Sequence, residues 1–158
     1  LLPHPVQAGG PPIWIAGRSD AAMKRAGTLG DGWYPYLFTV RRLKESNTIV
    51  RQHVEAAGRD VSQFRFGVAQ PTSIAEDPKE ALAVAVQNLG KYATAQRSAE
   101  DVAKGLCLTG TLDDVIKGIE DRIAAGVQHF MLGFLATDEQ DNYRQMELAA
   151  KKIIPHFR

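Results

Sequence analysis

Three residues in a row, Gly17, Arg18 and Ser19, follow the apolar run Pro12–Ala16 and precede a helix-like segment. Each suits an anion in its own way. A glycine lets a ligand come close to the backbone. The first N–H groups of a helix point outward and carry partial positive charge. A serine hydroxyl donates a hydrogen bond, and an arginine offers a planar fork to phosphate. Together they provide what a phosphate monoester needs. A second reading fits the same residues: Ser19 caps the helix and Arg18 is solvated. On local chemistry alone the capped turn is the better reading.

Fewer options exist elsewhere. Trp33, Tyr34 and Tyr36 could wall a planar ring, with a hydroxyl to orient it, or they could be packing residues. Strand alternation puts Trp33 on the side opposite Tyr34 and Tyr36, so the three cannot share one pocket. Asp31, before Gly32, reads as a turn residue, and Asp20 as a carboxylate favouring a helix start. His4, His53, His129 and His156 are scattered, without a carboxylate or cysteine at metal-binding spacing, so neither a metal site nor a catalytic histidine is expected. Cys107, in the run GLCL, reads as a small buried hydrophobe. No nucleophile elbow, phosphate P-loop or zinc motif occurs.

The elements that must hold these residues follow from periodicity. Four short apolar runs read as buried strands: Pro12–Ala16, Gly32–Leu37, Phe64–Ala69 and His129–Phe134. Pro35 weakens the second. Helical patterns lie between and after them: Asp20–Leu29 behind Ser19, Val40–Ala57 behind Thr39, Pro78–Leu89 behind Asp77, a short helix or turn from Ser98, a helix from the box Thr111–Asp114, and Glu139–Ile154. This alternation argues for parallel strands with right-handed crossovers. It gives four βα units, with an additional helical segment before the last strand. A complete eight-unit barrel takes about 250 residues, so four units fit the 158 residues here as a single domain. In such folds ligands sit at the C-terminal ends of strands. That singles out Gly17–Ser19, Tyr36–Thr39, Gln70–Ser73 and Leu135–Thr137.

Composition narrows the class. The net charge is +1 and the cations are dispersed, which argues against a nucleic-acid or anionic-membrane partner. No apolar run approaches the roughly 20 residues of a membrane span. The opening LLPHPVQAGG lacks the pattern of a signal peptide, and a single cysteine fits a reducing compartment, so a cytoplasmic location is expected.

The ordered motifs carry a resemblance. The stretch PPIWIAGRSDAAMKRAGTLGDGWYP resembles the segment of bacterial luciferase-like monooxygenases in which a strand ending in a small-residue turn leads into an Ala-rich helix and Asp-Gly-Trp. GTLDDVIKGIEDRIAAGVQHFMLGF is similar to that family's helix, Ala-Gly-Val and closing barrel strand, with Leu112 where proline is usual. AAGRDVSQFRFGVAQPTSIAEDPKEA resembles its seventh strand and the helix after it. The resemblance implies an α/β TIM-barrel type fold, present here as its C-terminal four units. It implies FMN or a deazaflavin coenzyme, with Gly17, Arg18 and Ser19 cradling its phosphate. The family often has a second Gly or Ser near these positions, where Ala16 and Arg18 are the neighbours here, and the resemblance places Ala16 and Trp33 with the coenzyme-binding residues.

The implied activity is flavin-dependent oxidoreduction on a small organic substrate: oxygen transfer in flavin members, hydride transfer in deazaflavin members. No catalytic residue is assigned, because the resemblance places that role in the other half of the barrel. A half barrel exposes two strand edges and an apolar inner face, so a homodimer or a complementing N-terminal half is expected. The alternative is a non-catalytic half barrel that self-associates and binds flavin or phosphate weakly.

Overall fold

The computed structural model describes residues 4–7 and 9–158. Part of the opening segment, on which the leader expectation bears, lies outside these. Five parallel strands and six main helices alternate. They are β1 (Trp14–Ile15), α1 (Asp20–Leu29), β2 (Gly32–Trp33), α2 (Val40–Ala56), β3 (Arg65–Ile74), α3 (Pro78–Leu89), α4 (Ala99–Leu106), β4 (Leu108–Gly110), α5 (Leu112–Ala124), β5 (His129–Phe134) and α6 (Glu139–Leu148). The side chains of Ser19, Thr39, Asp77, Ser98 and Thr111 all cap the helices that follow them, and Thr111 forms a full capping box with Asp114.

The sheet differs from the expectation in three ways. The run Pro12–Ala16 forms only two paired residues, and Gly32–Leu37 only Gly32–Trp33 plus a bridge from Tyr36 to Ala69. The third strand extends from Arg65 to Ile74, so Gln70–Ser73 is strand and not turn. A fifth strand, Leu108–Gly110, lies inside the segment expected to be helical. Proline in a central strand normally argues against one, yet Pro71 is tolerated here. Along β3 the amides of Arg65, Ala69 and Ala75 donate toward Asp31, Pro35 and Gly110. Pro71 has the same parity, so its missing donor faces the gap between the end of β2 and the start of β4. β5 runs along the opposite edge, pairing Gly67–Thr72 with His129–Phe134.

Alternation gives the sheet two faces. On the outer face Trp33, Phe66 and Val68 pack with Met23, Phe38, Leu43 and Val50, all fully or nearly fully buried. Each such side chain contributes roughly 1.5–3 kcal/mol of burial. Further outer clusters join α3 to α4, and α5 to β4 and the last helix. On the inner face Trp14 packs edge-on against Tyr34 and His129, with ring centroids 5.9 Å and 5.1 Å apart. A Cβ on Gly67 would come within 2.6 Å of both Trp14 and Tyr34, so glycine makes room for the two rings. Tyr36 and Met131 remain half exposed. Among the described residues β1 pairs only with β2, and β5 only with β3, which leaves both outer edges open.

The last helix is not uniform. It widens to a π-helix over Ala149–Ile153 before a final turn at Ile154–His156. Pro155 supplies no N–H to the carbonyl four residues earlier, and the Ile154 N–H donates to Ala149 instead. Among the described residues no helix is long and apolar enough to cross a membrane.

Candidate coenzyme-phosphate site

The turn after β1 is built around Gly17. Its φ is +126°, a region L side chains rarely adopt, and an added Cβ would lie 2.6 Å from the Ala22 Cβ. Ser19 accepts from the Ala22 N–H at 3.2 Å and so caps α1. That bond uses a lone pair on the hydroxyl oxygen, and the O–H remains free to donate. Ser19 is therefore the helix cap, and its hydroxyl hydrogen is not used by that bond. Ala16, Arg18 and Ser19 are exposed at the C-terminal end of the strand, and Gly17 is half buried.

Trp33 has a different place from the others. It has no exposed surface, and its indole N–H donates to the Gly17 carbonyl at 3.2 Å. The expected alternation is seen, with Trp33 in the outer core and Tyr34 on the inner face. Trp33 thus touches the turn from beneath and presents no surface of its own to a ligand. Arg18 also has a second engagement. Its guanidinium lies 5.0 Å from the centre of the Phe38 ring, and Arg42 approaches the same ring at 5.6 Å. Just before Phe38, Leu37 adopts φ +55°, the single non-glycine residue with positive φ among those described.

A polar clamp fixes the strand ends on the other side of the sheet. Gln145, almost fully buried, accepts from the Ile74 N–H at 2.9 Å and donates to the Leu135 carbonyl at 2.9 Å. Arg144 donates to the Ile74 carbonyl and to Asp141. Burial pushes the Asp141 carboxyl up, but hydrogen bonds from Arg144, the Thr137 N–H and Gln145 outweigh it and leave it below the usual range. Sequence reasoning missed these residues because Ile74, the backbone partner that Arg144 and Gln145 share, lies some 70 positions away. Burial raises the Tyr34 phenol, so it stays neutral. No group of three or more metal-ligating side chains occurs among the described residues.

Solved structures share this fold. Monooxygenase RslO1 from Streptomyces bottropensis matches with TM-score 0.75 and 22% identity, over 99% of this chain and 51% of that one. A coenzyme F420-dependent tetrahydromethanopterin reductase from Methanopyrus kandleri matches with TM-score 0.75 and 17% identity, over 93% and 51%. An F420-dependent secondary alcohol dehydrogenase matches with TM-score 0.71 and 21% identity, over 84% and 45%. At these identities the likeness shows the fold, and the chain spans about half the length of each. No curated protein sequence matches. The sequence model of the family described as luciferase-like monooxygenase matches residues 1–129, and the chain belongs to that family.

Proposed function

We propose that residues 1–158 form one half-barrel domain that supplies the coenzyme-phosphate site of a flavin- or deazaflavin-dependent oxidoreductase acting on a small organic substrate. The observation that carries this reading is the turn at Gly17–Ser19. It sits at the C-terminal end of a parallel strand, requires glycine, and presents a free hydroxyl with the N-terminus of α1. These groups fit a phosphate monoester. When bound, the coenzyme supplies the redox chemistry. The chain's own residues then bind and orient it: Ser19 and the first N–H groups of α1 hold the phosphate, Trp33 fixes the Gly17 carbonyl, and Trp14 with Tyr34 forms an apolar inner wall that excludes water.

The test is a fluorescence-quenching titration with FMN. Replacing Ser19→Ala together with Arg18→Ala should weaken binding tenfold or more, and superimposable curves for variant and parent would sink the assignment. The two open sheet edges favour a second reading, a self-associating half barrel without turnover. Coenzyme binding with no substrate-dependent oxidation, in a protein that light scattering finds dimeric, would support it.

A further inference from the structure

Beside the Gly17–Ser19 turn lies a cavity of about 460 Å³ whose ionisable lining is entirely cationic: Arg18, Arg41, Arg42 and Arg97, over Leu37, Phe38 and Leu106. The four guanidiniums come from three separate places in the chain. Arg18 follows β1, Arg41 and Arg42 open α2, and Arg97 precedes α4. Arg41 pairs with Glu45 at 3.1 Å. Arg18, Arg42 and Arg97 have no carboxylate within ion-pair distance among the described residues. Arg97 donates to the Asp101 carbonyl, and its Nη2 rests where a Cβ on Gly105 would fall. The other clefts near the strand ends differ. The two beside β3 mix charges, with Glu76, Glu80 and Asp141 beside Arg144 in one, and Glu76 and Glu147 beside Arg144, Lys151 and Lys152 in the other.

Glu45 offsets Arg41 and the nearby Asp101 carboxylate partly offsets Arg97, but the remaining like charges repel one another, and a polyanion relieves that repulsion. The α2 N-terminus, capped by Thr39, adds its partial positive charge to the same cavity. With Arg41 paired to Glu45 and Arg18 in the turn, one phosphate monoester on Gly17–Ser19 would leave Arg42 and Arg97 without an anion of their own. Arg18 joins the two places: its backbone lies in the turn and its guanidinium in the cavity.

We propose that this cavity is a second anion subsite, which receives a carboxylate-bearing extension attached to the coenzyme's phosphate. The proposal rests on the phosphate reading of the turn and deepens it. It selects a coenzyme whose phosphate is a diester with an acidic tail, as in deazaflavin coenzymes with glutamyl residues, over FMN, whose phosphate ends the molecule.

The purified protein is titrated with FMN, with a deazaflavin coenzyme lacking glutamyl residues on its phosphate, and with the same compound carrying several. The glutamyl form should bind about tenfold tighter than the tail-less form, and the gap should close as salt rises toward about 0.5 M. Arg97→Gln or Arg42→Gln should abolish the gap and leave FMN and the tail-less form unchanged. Equal affinity for tailed and tail-less forms overturns the subsite and leaves the phosphate turn standing. Equal weakening of all three ligands by Arg97→Gln makes these arginines part of the phosphate site, and also overturns it. Absence of binding by every ligand overturns both readings.

Discussion

Cys107 shows how burial alone sets a residue's chemistry. It is almost fully buried, and desolvation pushes its thiol up to about 12, against a smaller opposing effect of Arg122. A neutral thiol is a poor nucleophile. The folded chain should therefore resist a water-soluble maleimide at pH 8 and react readily once unfolded. The same shift has a consequence for stability. An acid whose pKa is raised by folding stabilises the fold below its unfolded pKa, and that contribution fades as pH rises from about 8.5 toward 12. Denaturant titrations should show a loss of about 1–2 kcal/mol by pH 10 that Cys107→Ala removes. A slope that survives the substitution would assign it to other groups. The sequence reading of Cys107 as a buried hydrophobe needed only its apolar neighbours. Trp33 was harder. Alternation gave its side of the sheet, but its hydrogen bond to Gly17 depends on how β2 lies beside β1. Arg97 could not be connected to Arg18 from sequence at all, because 78 intervening positions separate them.

Elements are held in register here by side chains that bond to backbone. Gln145 of α6 ties β3 to the segment after β5. Gln70 of β3 donates to the Leu106 carbonyl at 2.8 Å and accepts from the buried Arg122 at 2.7 Å, which joins α4, β3 and α5. Gln145→Leu keeps the volume but strips partners from a buried N–H and a carbonyl. It should cost about 2–4 kcal/mol in a denaturant titration. A loss under about 0.5 kcal/mol would mean that water or backbone movement replaces the bonds. Capped helices were legible because Ser, Thr and Asp act on N–H groups two or three residues away. The strand Leu108–Gly110 was not, since three residues give too short a run for alternation to register. The extension of β3 through Pro71 was hidden for a related reason. Only the pairing of both its edges reveals that the missing N–H faces a gap.

The molecule as a whole is a curved sheet covered by helices on one side and open on the other. Half-exposed Tyr36 and Met131 lie on the uncovered face, and an apolar groove of about 480 Å³ lines the outer side of β5 near Phe130, Leu132 and Phe134. Open edges and apolar patches of this kind seek a cover. Purified by itself, the chain should scatter light as a species larger than its 17.3 kDa monomer. Met131→Lys, which places a charge on the open face without touching the packed one, should shift it toward monomer. A monodisperse parent monomer at high concentration would mean that this face tolerates water.

The bond between Trp33 and Gly17 has an optical consequence. The chain has two tryptophans, and they stand on opposite faces of the sheet. Trp33 is tethered to the Gly17–Ser19 turn, and Trp14 packs on the inner face. With Trp14→Phe, the remaining emission comes from beneath the turn. With Trp33→Phe, it comes from the inner wall. A pair of single-tryptophan proteins thus turns one titration into two spatially separate signals, one from the Gly17–Ser19 turn and one from the inner face of the sheet.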